Sequence, residues 1–277
     1  MARTQHLDLH VAVGEQKEVS VHRPERPSSQ ARPGGPYVKG LVAVVGCDGS
    51  GKTRLVGDLV KMLRRDQPAE RQYMGLISGE TGDRIKRTPL FGVVLERYLA
   101  SKVRRAQDME KKLPGPATAI VMYLFSLWRA SKLRRLTERA GRGTLMIAER
   151  YPQAEIPGFH YDGPGLATGR TSGWLARSLA TREQSLYDKM AQQRPMLVIR
   201  LDIDAETAYA RKSDHPISEL RDKIAAMPRI EYNGAKIIEV DSREPYAQVL
   251  AAALNAIEAA ETSCAEAVRH GCETYTM

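Results

Sequence analysis

Residues 41–53 read Leu41-Val42-Ala43-Val44-Val45-Gly46-Cys47-Asp48-Gly49-Ser50-Gly51-Lys52-Thr53. The part from Gly46 to Thr53 fits the pattern Gly-x4-Gly-Lys-Ser/Thr, in which a glycine-rich loop follows a buried strand and opens a helix. Five apolar residues precede the loop, and an amphipathic segment follows it. This context argues against a chance glycine turn. Such a loop points backbone N–H groups at phosphate oxygens, so the stretch predicts a nucleoside triphosphate site.

The glycines, the lysine and the threonine of this loop have distinct expected tasks. The glycines permit a tight turn. The Lys52 ammonium is expected to reach the β- and γ-phosphates of ATP, and the Thr53 hydroxyl to hold Mg²⁺. We therefore assign these residues to the nucleotide site: Gly46, Asp48, Gly49, Ser50, Gly51, Lys52 and Thr53.

The bulk properties fit an intracellular globular protein. The chain has 277 residues, a formal net charge of +9 and three cysteines, which form no disulfide framework. Cys47 lies inside the phosphate loop, where a free thiol suits a reducing compartment. The first thirty residues lack an apolar signal core, and the longest apolar run, residues 118–128, is too short to span a bilayer. We expect a cytoplasmic protein without a transmembrane segment.

The positive charge is concentrated between residues 84 and 142, which hold 15 Lys and Arg against 4 Asp and Glu. A local basic excess favours an anionic partner, such as an anionic substrate, a nucleic acid or a membrane surface. A solvated helix face explains the same charge equally well.

Short apolar runs alternate with helical patterns along the chain, which indicates a parallel sheet covered by helices on both faces. Strands are predicted over residues 41–46, 72–77, 144–148, 196–202 and 236–240. Helices are predicted over residues 52–65, 90–112, 117–140, 174–192, 205–212, 217–226 and 245–261. Parallel sheets of this kind bind ligands beyond the carboxyl ends of their strands.

One domain is expected over residues 37–262, with the basic helical segment at 84–142 inside it. Residues 1–36 contain a Pro/Gly/Ser-rich linker and are expected to form a flexible extension. Residues 263–277 are expected to form a loose tail.

Two further pairs of residues carry possible chemistry. Glu149 and Arg150 directly follow the third strand, where an acid could organise Mg²⁺ and an arginine could clamp a phosphoryl group. An ordinary surface ion pair is the alternative. Arg211 and Lys212 end the helix after the fourth strand, where the helix dipole alone would also favour cations.

Taken together, these segments resemble the thymidylate kinase family of P-loop kinases over about residues 38–260. The resemblance implies that Asp48 contacts a sugar hydroxyl of the acceptor and that Arg150 binds the acceptor's phosphate. It also implies a lid beginning near Arg211 and Lys212, whose arginines stabilise the transferring phosphoryl group. The family's Asp-Arg-Tyr motif stands here as Glu149-Arg150-Tyr151.

The acceptor pocket departs from the family pattern. Residues 152–164 replace the short polar stretch that holds thymine, and residues 78–83 replace a Glu-Pro-Gly-Gly-Thr turn after the second strand. The phosphate-transfer residues therefore carry over better than the identity of the acceptor.

The resemblance implies an α/β fold of three layers, α/β/α, with a five-stranded parallel sheet in the order 2-3-1-4-5. It implies transfer of a phosphoryl group from ATP, with Mg²⁺, to a small acceptor, most simply a nucleoside monophosphate. A glycan, a lipid-linked sugar or a nucleic-acid end are alternative acceptors. A nucleotide-gated binding protein that hydrolyses ATP slowly is the non-enzymatic alternative, and a homodimer is compatible with either.

Overall fold

A computed structural model describes residues 37–75, 116–166 and 173–269 of the chain. Its five strands form one parallel sheet in the order β2-β3-β1-β4-β5, which confirms the predicted fold class and strand order. The strands are β1 (Tyr37–Gly46), β2 (Ala69–Tyr73), β3 (Leu145–Glu149), β4 (Arg194–Asp202) and β5 (Ile237–Asp241).

Helices connect these strands and cover both faces of the sheet, as expected for right-handed crossovers between parallel strands. The α-helices within the described residues are α1 (Lys52–Leu63), α2 (Pro116–Gly141), α3 (Trp174–Ala191), α4 (Ala205–Arg211), α5 (Ile217–Ala226) and α6 (Tyr246–Arg269). The predicted extension at 1–36, the turn at 78–83, the helix at 90–112 and residues 270–277 lie outside the described residues.

The core has two halves, one on each face of the sheet. Because successive strand residues point to opposite faces, Val42 and Val44 of β1 pack with α1 and α6. Leu41 and Val45 of the same strand pack on the other face with α2 and α3. The unbroken apolar run that begins the sequence motif is therefore a central strand buried on both sides.

Three predicted elements differ from the structure by more than two residues, namely the first strand, the second strand and the last helix. The first strand begins at Tyr37, four residues before the predicted start. Tyr37 and Val38 also pair with β4, ahead of a register shift between Val38 and Val42. The second strand is Ala69–Tyr73 rather than 72–77. It is an edge strand with polar side chains, so hydrophobicity did not reveal it.

The last helix also runs further than predicted, to Arg269. Ala253, Ile257, Ala260 and Cys264 recur at helical spacing and are buried. Residues 263–269 of the expected loose tail are therefore helical.

The strand order places the predicted site residues together at the carboxyl ends of the strands. Val44 of β1 pairs with Glu149 of β3, and Gly46 of β1 pairs with Leu201 of β4. The phosphate loop therefore leaves the sheet between the end of β3 and the end of β4. Among the described residues, no helix is long and apolar enough to cross a membrane.

Candidate phosphate-transfer site

The loop after β1 has the backbone that its glycines predict. Gly46, Gly49 and Gly51 have φ angles of 148°, 85° and 88°, a region that L-residues rarely adopt. A Cβ atom at Gly49 would overlap the carbonyl oxygen of Ala208 in α4. The glycine pattern therefore serves the loop conformation and also the close approach of α4.

Lys52 opens α1 and folds back over the loop. Its side chain is buried, and Nζ donates to the Cys47 carbonyl oxygen at 2.5 Å and to Ser50 Oγ at 3.4 Å. Burial, reinforced by the nearby charge of Arg150, lowers the pKa of Lys52 to about 7. The ammonium is held by uncharged oxygen atoms, which the charged oxygens of a triphosphate can replace.

Thr53 contacts the acid predicted to share its metal. Its Oγ1 donates to Glu149 Oε1 at 2.5 Å, across 96 residues of sequence. A hydroxyl and a carboxylate are oxygen donors of the kind Mg²⁺ accepts, and Mg²⁺ is usually held by one or two such groups together with substrate phosphates. Thr53 and Glu149 therefore fit a Mg²⁺ site.

Arg150 bridges β3 and the phosphate loop. Its φ of 62° is unusual for a residue other than glycine and costs on the order of 1–3 kcal/mol, as such strain often does at functional sites. Its Nη2 donates to Asp48 Oδ1, and its Nη1 lies 3.8 Å from Asp162 Oδ2. Burial alone would raise the pKa of Asp48, but Arg150 and Lys223 hold that pKa well below its usual range.

Three charged residues at this edge were not predicted from the sequence. Lys223 Nζ, on α5, donates to Asp48 Oδ2 at 3.1 Å. Asp162, in the loop after β3, accepts from Arg129 Nη2 at 2.7 Å. Arg129 is fully buried and also donates to the Tyr187 hydroxyl at 3.4 Å.

One of these residues had a detectable sequence signal. Buried positions of α2 recur at helical spacing, and Arg129 occupies one of them among apolar residues. A charged residue at a core-facing position needs a partner, because an unpaired buried charge is very costly. That requirement predicts a buried acid, although it does not identify Asp162.

The five charged residues form a continuous chain of contacts, which we call the acceptor-side cluster: Lys223, Asp48, Arg150, Asp162 and Arg129. They come from α5, the phosphate loop, the end of β3, the following loop and α2. The cluster carries three positive and two negative charges. It has the excess of one positive charge that an anionic ligand would compensate.

The pair at the end of α4 is divided between two environments. Arg211 Nη2 donates to the Ser242 carbonyl oxygen at 2.9 Å, whereas Lys212 Nζ lies 3.4 Å from Asp214 and is half-exposed. Arg211 lines a cavity of about 280 Å³ together with Gly51 of the phosphate loop. The structure therefore brings Arg211, and not Lys212, to the cavity beside the phosphate loop.

The same cavity has an aromatic wall. The guanidinium of Arg54 lies 3.8 Å from the ring centroid of Tyr246, and the Tyr246 hydroxyl donates to Asp58 Oδ2 at 2.5 Å. A planar ring attached to a phosphate in the loop, and extending into this cavity, would contact Tyr246, Arg54 and Arg211.

The described part of the basic segment is not a single solvated platform. Arg129 is buried in the acceptor-side cluster, and Lys132 Nζ lies 4.4 Å from the ring centroid of Trp128. Arg134 is exposed, and it lines a groove with Gly143 and Thr144, just before β3 begins. This groove lies at the amino ends of the strands, away from the phosphate loop.

Comparison with known proteins gives close relatives but no family model that matches. Over 221 residues the chain is 53% identical to the uncharacterized ATP-binding protein YghR of Escherichia coli strain K12, covering 80% of this chain and 88% of YghR. It is 46% identical over 221 residues to the uncharacterized ATP-binding protein YghS of the same strain, covering 79% of this chain and 93% of YghS. Both matches extend over most of each protein.

Proposed function

Because this chain belongs to the family of the uncharacterized ATP-binding proteins YghR and YghS, we propose that its phosphate loop binds ATP. We propose further that the protein is a Mg²⁺-dependent kinase, which transfers the γ-phosphoryl group to a small acceptor. A nucleoside monophosphate is the simplest acceptor. The names of the relatives support the nucleotide, and the site geometry supports the transfer.

One observation carries the proposal of transfer rather than binding alone. The two residues at the end of β3 each contact a different side chain of the phosphate loop: Glu149 accepts from Thr53, and Arg150 donates to Asp48. A carboxylate suited to Mg²⁺ and an arginine suited to a phosphate thus stand side by side against one loop. A nucleotide-binding switch needs the first contact but has no need of a second anion site.

The residues would divide the work as follows. Lys52 would move from the Cys47 carbonyl to the β- and γ-phosphates, and Arg150 would hold the acceptor next to Asp48. Thr53 and Glu149 would hold Mg²⁺, which neutralises charge on the phosphates when bound. Catalysis of this kind depends on positioning and charge rather than on covalent chemistry by the protein.

We place the base of ATP in the cavity beside Tyr246. Tyr246, Arg54 and Arg211 line it on the side where α1 begins, and an aromatic ring and guanidinium planes suit stacking on a purine. Under this assignment Arg211 contacts the nucleoside end of the donor. The family resemblance implies instead that Arg211 stabilises the transferring phosphoryl group, and for that role Arg211 would have to move.

A coupled assay for ADP tests the proposal. The protein is incubated with Mg-ATP, alone and with each member of a panel of nucleoside monophosphates. We expect ADP formation to rise when the right acceptor is added. Slow hydrolysis that no acceptor stimulates would support a nucleotide-gated switch instead.

The depressed pKa of Lys52 predicts that nucleotide binding takes up protons. Above pH 7 the free protein holds Lys52 largely neutral, whereas bound phosphates favour the ammonium. Affinity for Mg-ATP should therefore be constant below pH 7 and weaken above it, by up to about tenfold per pH unit. Calorimetry at pH 8 in buffers of different ionisation enthalpy should show uptake approaching one proton per site. Equal heats in all buffers would contradict this assignment.

The basic segment gives a separate prediction about a larger anionic partner. We expect the variant Arg104→Gln, Arg105→Gln, Arg134→Gln, Arg135→Gln to bind Mg-ATP as the wild type does, because the exposed Arg134 lies away from the phosphate loop. If the segment binds a polyanion, the wild type alone should bind single-stranded DNA or anionic vesicles in a steeply salt-dependent way. If the wild type binds neither single-stranded DNA nor vesicles at low salt, the charge is a solvated face.

A further inference from the structure

Lys223 of α5 makes a contact that the proposed roles above do not use. Asp48 is held on both of its oxygens by cations from different parts of the chain. Arg150 contacts Oδ1, and Lys223 Nζ lies 3.1 Å from Oδ2. One cation is enough to neutralise one carboxylate, so the second cation calls for an explanation.

Burial of the Lys223 ammonium is energetically unfavourable. Its side chain is 5% exposed, and desolvation together with the charge of Arg150 lowers the pKa of its ammonium. A buried lysine beside another cation weakens a fold unless an anion compensates it. Asp48 and Asp162 together supply two negative charges for the three cations of the acceptor-side cluster, so one positive charge is not compensated within it.

The hydrogen-bonding capacity of both cations is also unfilled. An ammonium has three N–H donors and a guanidinium has five. Within the described part of the chain, Lys223 Nζ makes one hydrogen bond, to Asp48, and the Arg150 side chain likewise makes one, to Asp48. Several donors of two adjacent cations therefore remain for a ligand with several acceptor oxygens.

Packing fixes α5 in this place. Leu220, one turn before Lys223, is buried with Ala208 of α4 and with Cys47 of the phosphate loop. Ala208 is also the residue whose carbonyl fits against Gly49. The backbone that carries Lys223 is thus held against the phosphate loop by apolar contacts that do not involve its ammonium.

We propose that Lys223 is a second acceptor-binding residue, which together with Arg150 binds a phosphate group of the acceptor while Asp48 holds the two cations apart. This inference rests on the proposed function, and it extends the acceptor site to α5. Arg150 and Lys223 would each turn spare donors to the same phosphate. An acceptor with no phosphate would leave the excess charge of the cluster uncompensated.

The transfer step at such a site needs no general base. An oxygen of the acceptor phosphate forms a new P–O bond to the γ-phosphorus of ATP, and the bond between the γ-phosphorus and the β,γ-bridging oxygen breaks. ADP leaves with that electron pair, and the product is a diphosphate. The attacking oxygen carries no proton at neutral pH, so the two cations only position and partly neutralise the acceptor.

The test uses inorganic phosphate as a probe, on the full chain with Mg²⁺ and a non-hydrolysable ATP analogue already bound. Calorimetry measures phosphate binding to the wild type and to three variants. Lys223→Met keeps most of the length and removes the charge, and Lys223→Arg keeps the charge. Arg221→Gln is the matched control, because Arg221 is an exposed residue of the same helix paired with Glu206.

We expect Lys223→Met to weaken phosphate binding at least about tenfold, the effect of losing one hydrogen bond to a charged group. Lys223→Arg should restore most of the affinity, and Arg221→Gln should leave it unchanged. The affinity for the ATP analogue should change little in every variant. Equal phosphate affinity in the wild type and Lys223→Met, or none in the wild type, would overturn the inference.

Turnover separates this inference from the proposed function. If an acceptor stimulates ADP formation, the KM for that acceptor should rise in Lys223→Met while kcat changes less. An unchanged KM would remove Lys223 from the site and leave the kinase assignment standing. If no acceptor is ever phosphorylated but phosphate binding still requires Lys223, the anion site stands and the kinase assignment fails. Thermal melting of Lys223→Met, compared with the wild type, shows whether a loss of phosphate binding in that variant comes from unfolding.

Discussion

Lys52→Ala is expected to abolish ATP-dependent turnover while leaving the fold intact. The Lys52 side chain lies against the Cys47 carbonyl and Ser50, not in either half of the apolar core. Without it, the charge of the β- and γ-phosphates would have no ammonium partner in the loop. Burial lowers the pKa of Lys52 to about 7, which means that the folded protein disfavours the charged ammonium. Removing the side chain should therefore not destabilise the fold.

The experiment measures melting temperature with and without Mg-ATP, together with ADP formation. In the absence of nucleotide the variant should melt close to the wild type, and stabilisation by ATP should shrink as affinity falls. Lys61→Ala is the matched control, since Lys61 lies exposed near the end of the same helix. Wild-type turnover by purified Lys52→Ala would remove the phosphate loop from the reaction.

Glu149→Gln should have the second-largest effect on turnover. Glu149 is buried at the end of β3 and accepts from the Thr53 hydroxyl at 2.5 Å. Glutamine keeps the shape and an oxygen acceptor for Thr53, but it removes the negative charge that suits Mg²⁺. We expect kcat to fall by roughly a hundredfold or more, the scale of a lost catalytic carboxylate.

Two further substitutions make the Glu149 experiment selective. Glu149→Asp keeps the charge and should recover part of the activity, and more at raised Mg²⁺. Glu70→Gln removes an acid from the neighbouring strand β2, where Glu70 pairs with Arg139 at the surface, and should be nearly neutral. A change in kcat of less than about threefold in Glu149→Gln would reduce Glu149 to a structural partner of Thr53.

Most of the fold could be predicted because its signals are local. The run of apolar residues in β1 and the glycine loop after it identify a buried strand and a phosphate site from thirteen consecutive residues. α5 was predicted with its observed bounds, Ile217–Ala226. The errors fall where tertiary contacts decide: β2 is polar and gains its hydrogen bonds from β3, and α6 continues because Cys264 is buried.

Three of the five residues of the acceptor-side cluster were not predicted from the sequence, namely Lys223, Asp162 and Arg129. Asp48 lies in the glycine loop and Arg150 directly follows a recognisable strand, so their place at the ligand-binding end of the sheet could be inferred. Lys223 contacts Asp48 across 175 residues of sequence, and no spacing rule connects the two. A buried ion pair of this kind becomes visible only when the helices are packed, because burial and not sequence pattern makes the partner necessary.

The fate of the γ-phosphate tests the central claim most directly. The protein is incubated with Mg-ATP and an acceptor that stimulates ADP formation, and phosphorus-31 NMR follows each phosphorus atom. The account predicts that the γ-phosphate appears on the acceptor as a new diphosphate, in a one-to-one ratio with ADP, and that Lys52→Ala forms none. Release of all γ-phosphate as inorganic phosphate, with the acceptor unchanged, would contradict it.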